Sequence, residues 1–346
     1  MEAIVKTTPG KGVRLQDVPI PSIGLHDILV GVTASGICGS DLSISQWKEG
    51  YRYIPLPRVL GPEFSGKVVC KGVEVEGLEE GDRVTINPVI VCGQCKPCRM
   101  GLKNDCERRL ILGFTKDGSF APYVSVPKGA SVFRLPNGFS DQMGALVEPF
   151  AVAYHAIELS RFKTDDRVCV LGMGPIGLMI IGLLKKLGAS LIVVIGRTLQ
   201  EERIEIAKEM GADLFLDIHR DDLNRIAREI TEGRGFDIVF EATGNPSSLP
   251  QGLEILRRGG EMVLSGIFEG KGEIELTGFV RSSKRLIGNH AYQDATWVKV
   301  IDLLSEGKIP AYKLITHELP LSEGLEAFDL LKRREGVKIL LRPSGC

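Results

Sequence analysis

No stretch of this chain stays hydrophobic long enough to span a bilayer, which takes about 20 apolar residues in succession. Charge of either sign is not in surplus: 43 Lys and Arg face 44 Asp and Glu, a formal net charge of −1. So even a balance argues against nucleic acid or a membrane surface as the main partner. No internal repeat or low-complexity segment occurs, and the start, Met1-Glu2-Ala3-Ile4-Val5-Lys6, reads as a strand and not as a signal peptide. Histidine is scarce, with five in 346 residues. What remains is ordinary globular composition, enough for about two domains.

The rest of the chain is organised around Val168-Cys169-Val170-Leu171-Gly172-Met173-Gly174-Pro175-Ile176-Gly177. An apolar run suited to a buried parallel strand ends in Gly-x-Gly-x-x-Gly, and a helical apolar pattern then continues to Leu187 and stops at Gly188. Gly172 permits a tight turn, Gly174 lets backbone approach a pyrophosphate, and Gly177 lets helix and strand pack closely. The helix that starts at Pro175 offers free N–H groups from Ile176 onward and a positive dipole end to phosphates. Three glycines among 41 are weak evidence alone, but a second apolar run, Leu191–Ile195, arrives at the distance of a βαβ unit.

Residues 1 to 150 read as short strands between Gly and Pro turns, among them Ile28–Ala34, Glu63–Lys71, Arg83–Ile86 and Ala121–Pro127. From 151 onward strand and helix alternate. Strands are expected at Val168–Leu171, Leu191–Ile195, Leu214–Asp217, Asp237–Ala242, Glu261–Gly266 and Leu286–His290, with helices at 175–187, 201–210, 221–232 and 247–257. This is the pattern of a doubly wound parallel sheet. The tail, with helices near 294–306 and 321–334 and a last strand at Val337–Leu341, returns to the first texture. The expected division is 1–150 with 291–346 as one domain and 151–290 as the dinucleotide-binding domain.

Four of the eight cysteines crowd into one loop, Cys92-Gly93-Gln94-Cys95-Lys96-Pro97-Cys98 followed by Cys106. In a reducing cytoplasm, the expected location, such crowding means metal binding and not disulfides. Four thiolates at this spacing can close on one ion as a structural zinc site; an iron–sulfur cluster also suits clustered cysteines. Together with Gly36-Ile37-Cys38-Gly39-Ser40-Asp41, Gly61 to Gly66, Gly118-Ser119-Phe120-Ala121, Glu148-Pro149 and the glycine fingerprint, this loop resembles the medium-chain zinc-type alcohol/polyol dehydrogenases over nearly the whole chain. The likeness is strongest to the sorbitol-type polyol branch. It implies an α/β protein with a GroES-like β-rich catalytic domain plus a Rossmann doubly wound parallel sheet, a small-molecule substrate, and a homo-oligomer (dimer or tetramer).

By that resemblance Cys38 matches the thiolate ligand of a catalytic zinc, and Ser40 the hydroxyl that takes the substrate's proton and passes it on through the cofactor ribose. Glu63 matches the acid after the family's catalytic histidine, and Glu148 the carboxylate typical of the polyol branch. Read without the family, Cys38 is equally a small buried thiol and Glu148 a helix-start carboxylate. Two departures stand out. Gly61-Pro62-Glu63 replaces Gly-His-Glu, and proline has no metal-binding atom and a fixed φ. Ser43 stands where a histidine often ends the proton relay, so Ser43 or water is expected to finish that path. Cys38, Glu63 and Glu148 around one divalent ion would make a less electrophilic metal than an imidazole set. His155 lies about 10 Å beyond Glu148 along a helix and reads as a packed side chain.

Cofactor choice is read at the end of the second alternating strand, where NAD enzymes place an acid for the ribose hydroxyls. Here that strand ends in Gly196-Arg197-Thr198. An arginine and a hydroxyl stand where a 2′-phosphate would lie, which tilts the expectation toward NADP(H); Glu201 or Glu202 reaching the ribose keeps NAD(H) open. Thr243-Gly244 and Ser265-Gly266-Ile267 fall at carboxyl ends of strands, where such sheets bind ligands, and Arg203 could lie against the adenine. The stretch from Glu261 to Leu276 is expected at a sheet edge that pairs with another subunit, as in the family. The leading expectation is a metal-assisted oxidoreductase interconverting a secondary alcohol and its ketone in a polyol, sugar or sugar acid. The alternatives are a cofactor-binding module without catalytic metal and a zinc-free reductase of the same fold.

Overall fold

The computed structural model describes residues 1–198 and 201–343. Its first stretch runs through β1 (Glu2–Lys6), β2 (Arg14–Asp17), β3 (Ile28–Gly36), α1 (Gly39–Ser45), β4 (Arg58–Val59), β5 (Glu63–Lys71) and β6 (Arg83–Ile86). Then come β7 (Val89–Ile90), α2 (Lys96–Arg99), β8 (Leu110–Ile111), β9 (Tyr123–Val126), β10 (Val132–Arg134) and α3 (Asp141–Leu159). Strands β3 and β5 form the central antiparallel pair. Alternate residues Ile28, Val30 and Val32 on one strand and Phe64 and Val68 on the other enter a single core with Val84, Ile86, Val124 and Val126, as the two-residue side-chain period of a strand requires. The register sets Gly36 opposite Glu63, which fixes where the candidate site begins.

The second stretch alternates β11 (Arg167–Leu171), α4 (Pro175–Leu187), β12 (Leu191–Gly196), α5 (Glu201–Met210), β13 (Leu214–Asp217), α6 (Leu223–Ile230) and β14 (Phe236–Glu241). It continues with α7 (Ser248–Ile255), β15 (Leu256–Leu264), α8 (Leu276–Arg281) and β16 (Arg285–Gly288). The sheet is parallel in the order β13-β12-β11-β14-β15-β16, with the order reversing between β11 and β14. Val168, Val170, Val193 and Val194 are fully buried, matching strands covered on both faces. The expected edge at Glu261–Leu276 is corrected here: β15 is paired on both sides, and β16 forms that edge.

The tail adds α9 (Asp294–Ser305), β17 (Ile315–Pro320), α10 (Gly324–Arg333) and β18 (Lys338–Arg342). Strand β18 joins the first sheet beside β3, giving β10-β6-β5-β3-β18-β17 with β9 also on β3. Two compact units result: residues 1–148, 293–301 and 315–346, and residues 149–292 and 302–314. Residues 302–314, which the sequence reading assigned to the first domain, thus belong to the second. Glu306 pairs with Lys186, Lys313 with Glu209 at 2.9 Å, and Ile309 fills space beside Gly182 on α4. Among the described residues no helix is long and apolar enough to cross a membrane.

Candidate active site

Cys38 is the N-cap of α1. Its Sγ accepts from the Asp41 N–H at 3.4 Å, and Asp41 Oδ2 accepts from the Cys38 N–H at 3.0 Å. This reciprocal box satisfies two orphan donors of the helix. Asp41 Oδ1 also accepts from the Gly61 N–H at 3.3 Å. The Gly61-Pro62 turn is pressed against Ser119 and Phe120: Gly61 has φ +97°, and a Cβ there would meet the Phe120 ring at 2.6 Å. Burial pushes the Asp41 carboxyl up to about 7. Burial likewise drives the Cys38 thiol well above its usual range, reinforced by Asp41 and Glu63 and opposed by Lys338.

Glu63 does not face an open site. Its Oε2 accepts from Lys338 Nζ at 2.5 Å, with the two side chains only 3% and 2% exposed, and Lys338 Nζ also donates to the Ile37 carbonyl at 3.3 Å. Burial opposes the ammonium, but Glu63, then Cys38 and Glu148, hold Lys338 above the usual lysine range. A side chain at Gly36 would strike Glu63 Oε2 at 2.5 Å. On α1, Ser40 Oγ lies 2.9 Å from the Tyr51 hydroxyl. The Ser43 carbonyl accepts from the Lys48 N–H at 3.1 Å.

The two proposed metal clusters fare differently. Cys92, Cys95, Cys98 and Cys106 bring their sulfur atoms within 4.8 Å of one another, with Cys92–Cys98 and Cys95–Cys106 both at 4.0 Å. Tetrahedral thiolates on one zinc stand about 3.8 Å apart, given Zn–S near 2.3 Å, so these residues fit a single ion. Among the described residues this is the sole group of three or more His, Cys, Asp or Glu so gathered. Cys38, Glu63 and Glu148 are not gathered that tightly; all three instead act electrostatically on the Lys338 ammonium. Pro62 contributes no donor, and the Glu63 carboxylate is committed to Lys338.

In the second unit β11 ends at Gly172, whose φ is +106°. A Cβ on Gly177 would lie 2.1 Å from the Gly172 carbonyl oxygen, whereas one on Gly174 would meet nothing within 4 Å. Gly174 caps α4 with no side-chain bond, and Pro175 and Ile176 open the helix. The turn is thus closed against itself and open toward solvent at the free amides, the shape a pyrophosphate fits. Arg203 reaches back from α5 and donates to the Met173 carbonyl at 3.1 Å, tying that helix to the glycine turn. Arg197 is exposed at the end of β12. Thr198 gives both its N–H (2.6 Å) and its hydroxyl proton to Asp217 Oδ2 at the end of β13, leaving it without a donor for a phosphate. Asp217 also accepts from the His219 and Arg220 N–H groups, and these bonds, that of Thr198 foremost, hold its carboxyl far below the usual range.

Matches to known proteins follow the same division. Residues 24–137 match the alcohol dehydrogenase GroES-like domain and residues 175–306 the zinc-binding dehydrogenase domain. The chain is 35% identical to a sorbitol dehydrogenase of Halalkalibacterium halodurans over 99% of both proteins. It belongs to the zinc-binding alcohol dehydrogenase family. It is also 33% identical to an L-threonine 3-dehydrogenase of Anaeromyxobacter dehalogenans over 99% of this chain and 98% of that one. The solved 2R,3R-butanediol dehydrogenase of Bacillus subtilis superposes with a TM-score of 0.90 at 33% identity over 99% of each chain.

This zinc-binding dehydrogenase contains site residues that sequence reasoning missed. Glu241, fully buried at the end of β14, accepts from the Thr243 N–H at 2.7 Å and the Gly244 N–H at 3.0 Å, while its carbonyl takes the Ser265 and Gly266 N–H groups. It locks the loops at Thr243-Gly244 and Ser265-Gly266-Ile267 into place. An acid closing an otherwise apolar strand just before Ala-Thr-Gly was the available signal. Lys338 and Tyr51 gave no such sign.

Proposed function

We propose that the chain is a nicotinamide-dependent oxidoreductase interconverting a secondary alcohol and its ketone in a polyol, sugar or sugar acid. The observation that carries this reading is the glycine turn, self-closed at Gly172 and Gly177 and open at Gly174 over the start of α4. Gly172, Gly174, Pro175, Ile176 and Gly177 would hold the pyrophosphate, with Thr243, Gly244, Ser265, Gly266 and Ile267 at neighbouring strand ends. When bound, the dinucleotide supplies a hydride acceptor for oxidation and a hydride donor for reduction. Ser40 takes the alcohol's hydroxyl proton. The likeness to sorbitol and threonine dehydrogenases, which both have secondary-alcohol substrates, supports the substrate class.

NADP(H) is the proposed form: β12 ends without an acid, and exposed Arg197 offers the cation for a 2′-phosphate. Thr198, its donors spent on Asp217, is assigned to shaping the loop. One structural zinc on Cys92, Cys95, Cys98 and Cys106 belongs to the reading. A catalytic ion on Cys38, Glu63 and Glu148 would require Glu63 to leave Lys338, and no step proposed here passes through one. Cytoplasmic location, where the four thiols stay reduced, and a homo-oligomer joined along the β16 edge complete it; sedimentation tests the latter. The decisive experiment is a panel of polyols, sugars and sugar acids with NAD+ and NADP+, read by absorbance of the reduced cofactor. Turnover of a secondary alcohol is expected, and its absence across the panel overturns the reading.

A further inference from the structure

From the 2.9 Å contact between Ser40 Oγ and the Tyr51 hydroxyl, we infer that Tyr51 takes the proton directly from Ser40, in place of the cofactor ribose and the Ser43 or water exit expected from the sequence. The inference rests on the proposed alcohol oxidation. Ser40 and Ser43 lie three residues apart on α1, yet Ser40 turns its hydroxyl to Tyr51, and the Ser43 hydroxyl has no bonded partner among the described residues. Tyr51 is held for this task. Its backbone closes a turn by donating to the Lys48 carbonyl at 3.0 Å. Its ring meets Phe114 edge to face, centroids 6.2 Å apart, and packs on the core that includes Ile44, Ile54 and Phe120. A ring fixed by packing cannot swing, so its hydroxyl stays aimed at Ser40, and the residue is only partly buried.

The relay balances without any group becoming charged. As the alcohol carbon gives up its hydride to the oxidised dinucleotide and the C=O bond forms, the alcohol O–H breaks and its proton passes to Ser40 Oγ. The Ser40 O–H breaks in turn and delivers its proton to the Tyr51 oxygen. The Tyr51 O–H breaks and releases its proton to water. One proton leaves per alcohol oxidised, and each hydroxyl accepts and donates once, as Ser and Tyr both can. Burial keeps the phenol above its ordinary range, so the tyrosine passes protons as a neutral hydroxyl.

The test is Tyr51→Phe, which keeps the ring and its packing and removes the oxygen. With an unchanged thermal midpoint, kcat is expected to fall about tenfold to a hundredfold, within the span of general acid–base contributions, while KM for alcohol and dinucleotide stays put. A proton inventory in mixed light and heavy water should become less curved as the moving protons fall from three to two. Ser40→Ala combined with Tyr51→Phe should lose no more than Ser40→Ala alone, because the two act in series. Wild-type kcat and an unchanged inventory in Tyr51→Phe, or losses that multiply in the double variant, overturn the relay. A wild type inactive on the whole alcohol panel overturns the underlying function and the relay with it; turnover in wild type with an unaffected Tyr51→Phe overturns the relay alone.

Discussion

Two clusters in this chain carry metal-type donors, and they are built in opposite ways. In the Cys92–Cys106 lobe the donors turn toward one another, and N–H groups of Cys92 and Cys95 point at sulfur atoms of the same cluster. Around Cys38 each donor already has another partner: Cys38 Sγ accepts from the Asp41 N–H, and Glu63 accepts from Lys338. An internal ammonium neutralises the second cluster, while the first is held by its own sulfurs and by backbone donors. The lesson is that donor identity does not make a site. What counts is whether each donor has already found a partner inside the protein.

Four experiments would break or sharpen that contrast. Removing Cys98 by Cys98→Ser should empty the lobe and unfold it locally; structural zinc binding couples to folding by on the order of 10–16 kcal/mol, so loss of the zinc equivalent and a lowered thermal midpoint are expected. Next, Lys338→Met should leave Glu63 buried without a partner and cost about 3–5 kcal/mol in denaturant unfolding. Adding Glu63→Gln should recover much of that loss, as expected when the penalty is an uncompensated charge. Smaller in stability but decisive for the comparison, Pro62→His should raise the zinc content above one per chain by supplying a neutral ligand beside Cys38. A wild-type protein that already holds two zinc ions after dialysis would erase the contrast.

The smallest effect is on pH. Donors from the Gln94 and Cys95 backbone hold the Cys92 thiol down at about 6. A depressed value means the thiolate form is favoured in the folded lobe. In the metal-free lobe its contribution is present above the ordinary thiol range and is lost as pH falls through about 6, and zinc, which needs deprotonated ligands, should bind more weakly as the pH falls. Elemental analysis of samples equilibrated across that range checks the sign. The Cys38 cluster should show no matching metal release.

Periodicity made the second unit legible. Helices 175–187 and 201–210 and strand 214–217 lie where the apolar spacing put them, because strands buried on both faces and helices on a fixed repeat write their pattern into consecutive residues. The four-cysteine loop was legible for a related reason: all its partners sit within one short segment. The Cys38 site was not. Glu63 and Lys338 are 275 residues apart, and a lysine in a terminal strand looks like any solvated lysine until the strand is placed. Ser40 and Tyr51, Thr198 and Asp217, and the return of residues 302–314 to the second unit all depend on tertiary neighbours that spacing does not encode.

The position of β18 between β3 and β17 carries a consequence for the order in which the molecule is born. A ribosome that has delivered the chain through Leu314 has supplied every residue of the second unit, yet the first still lacks the strand that brings Lys338 to Glu63. Until Lys338 emerges, a buried carboxylate beside Cys38 waits for its counter-charge. The unit that holds residues 1–148 is therefore completed only after every residue of the other has been made.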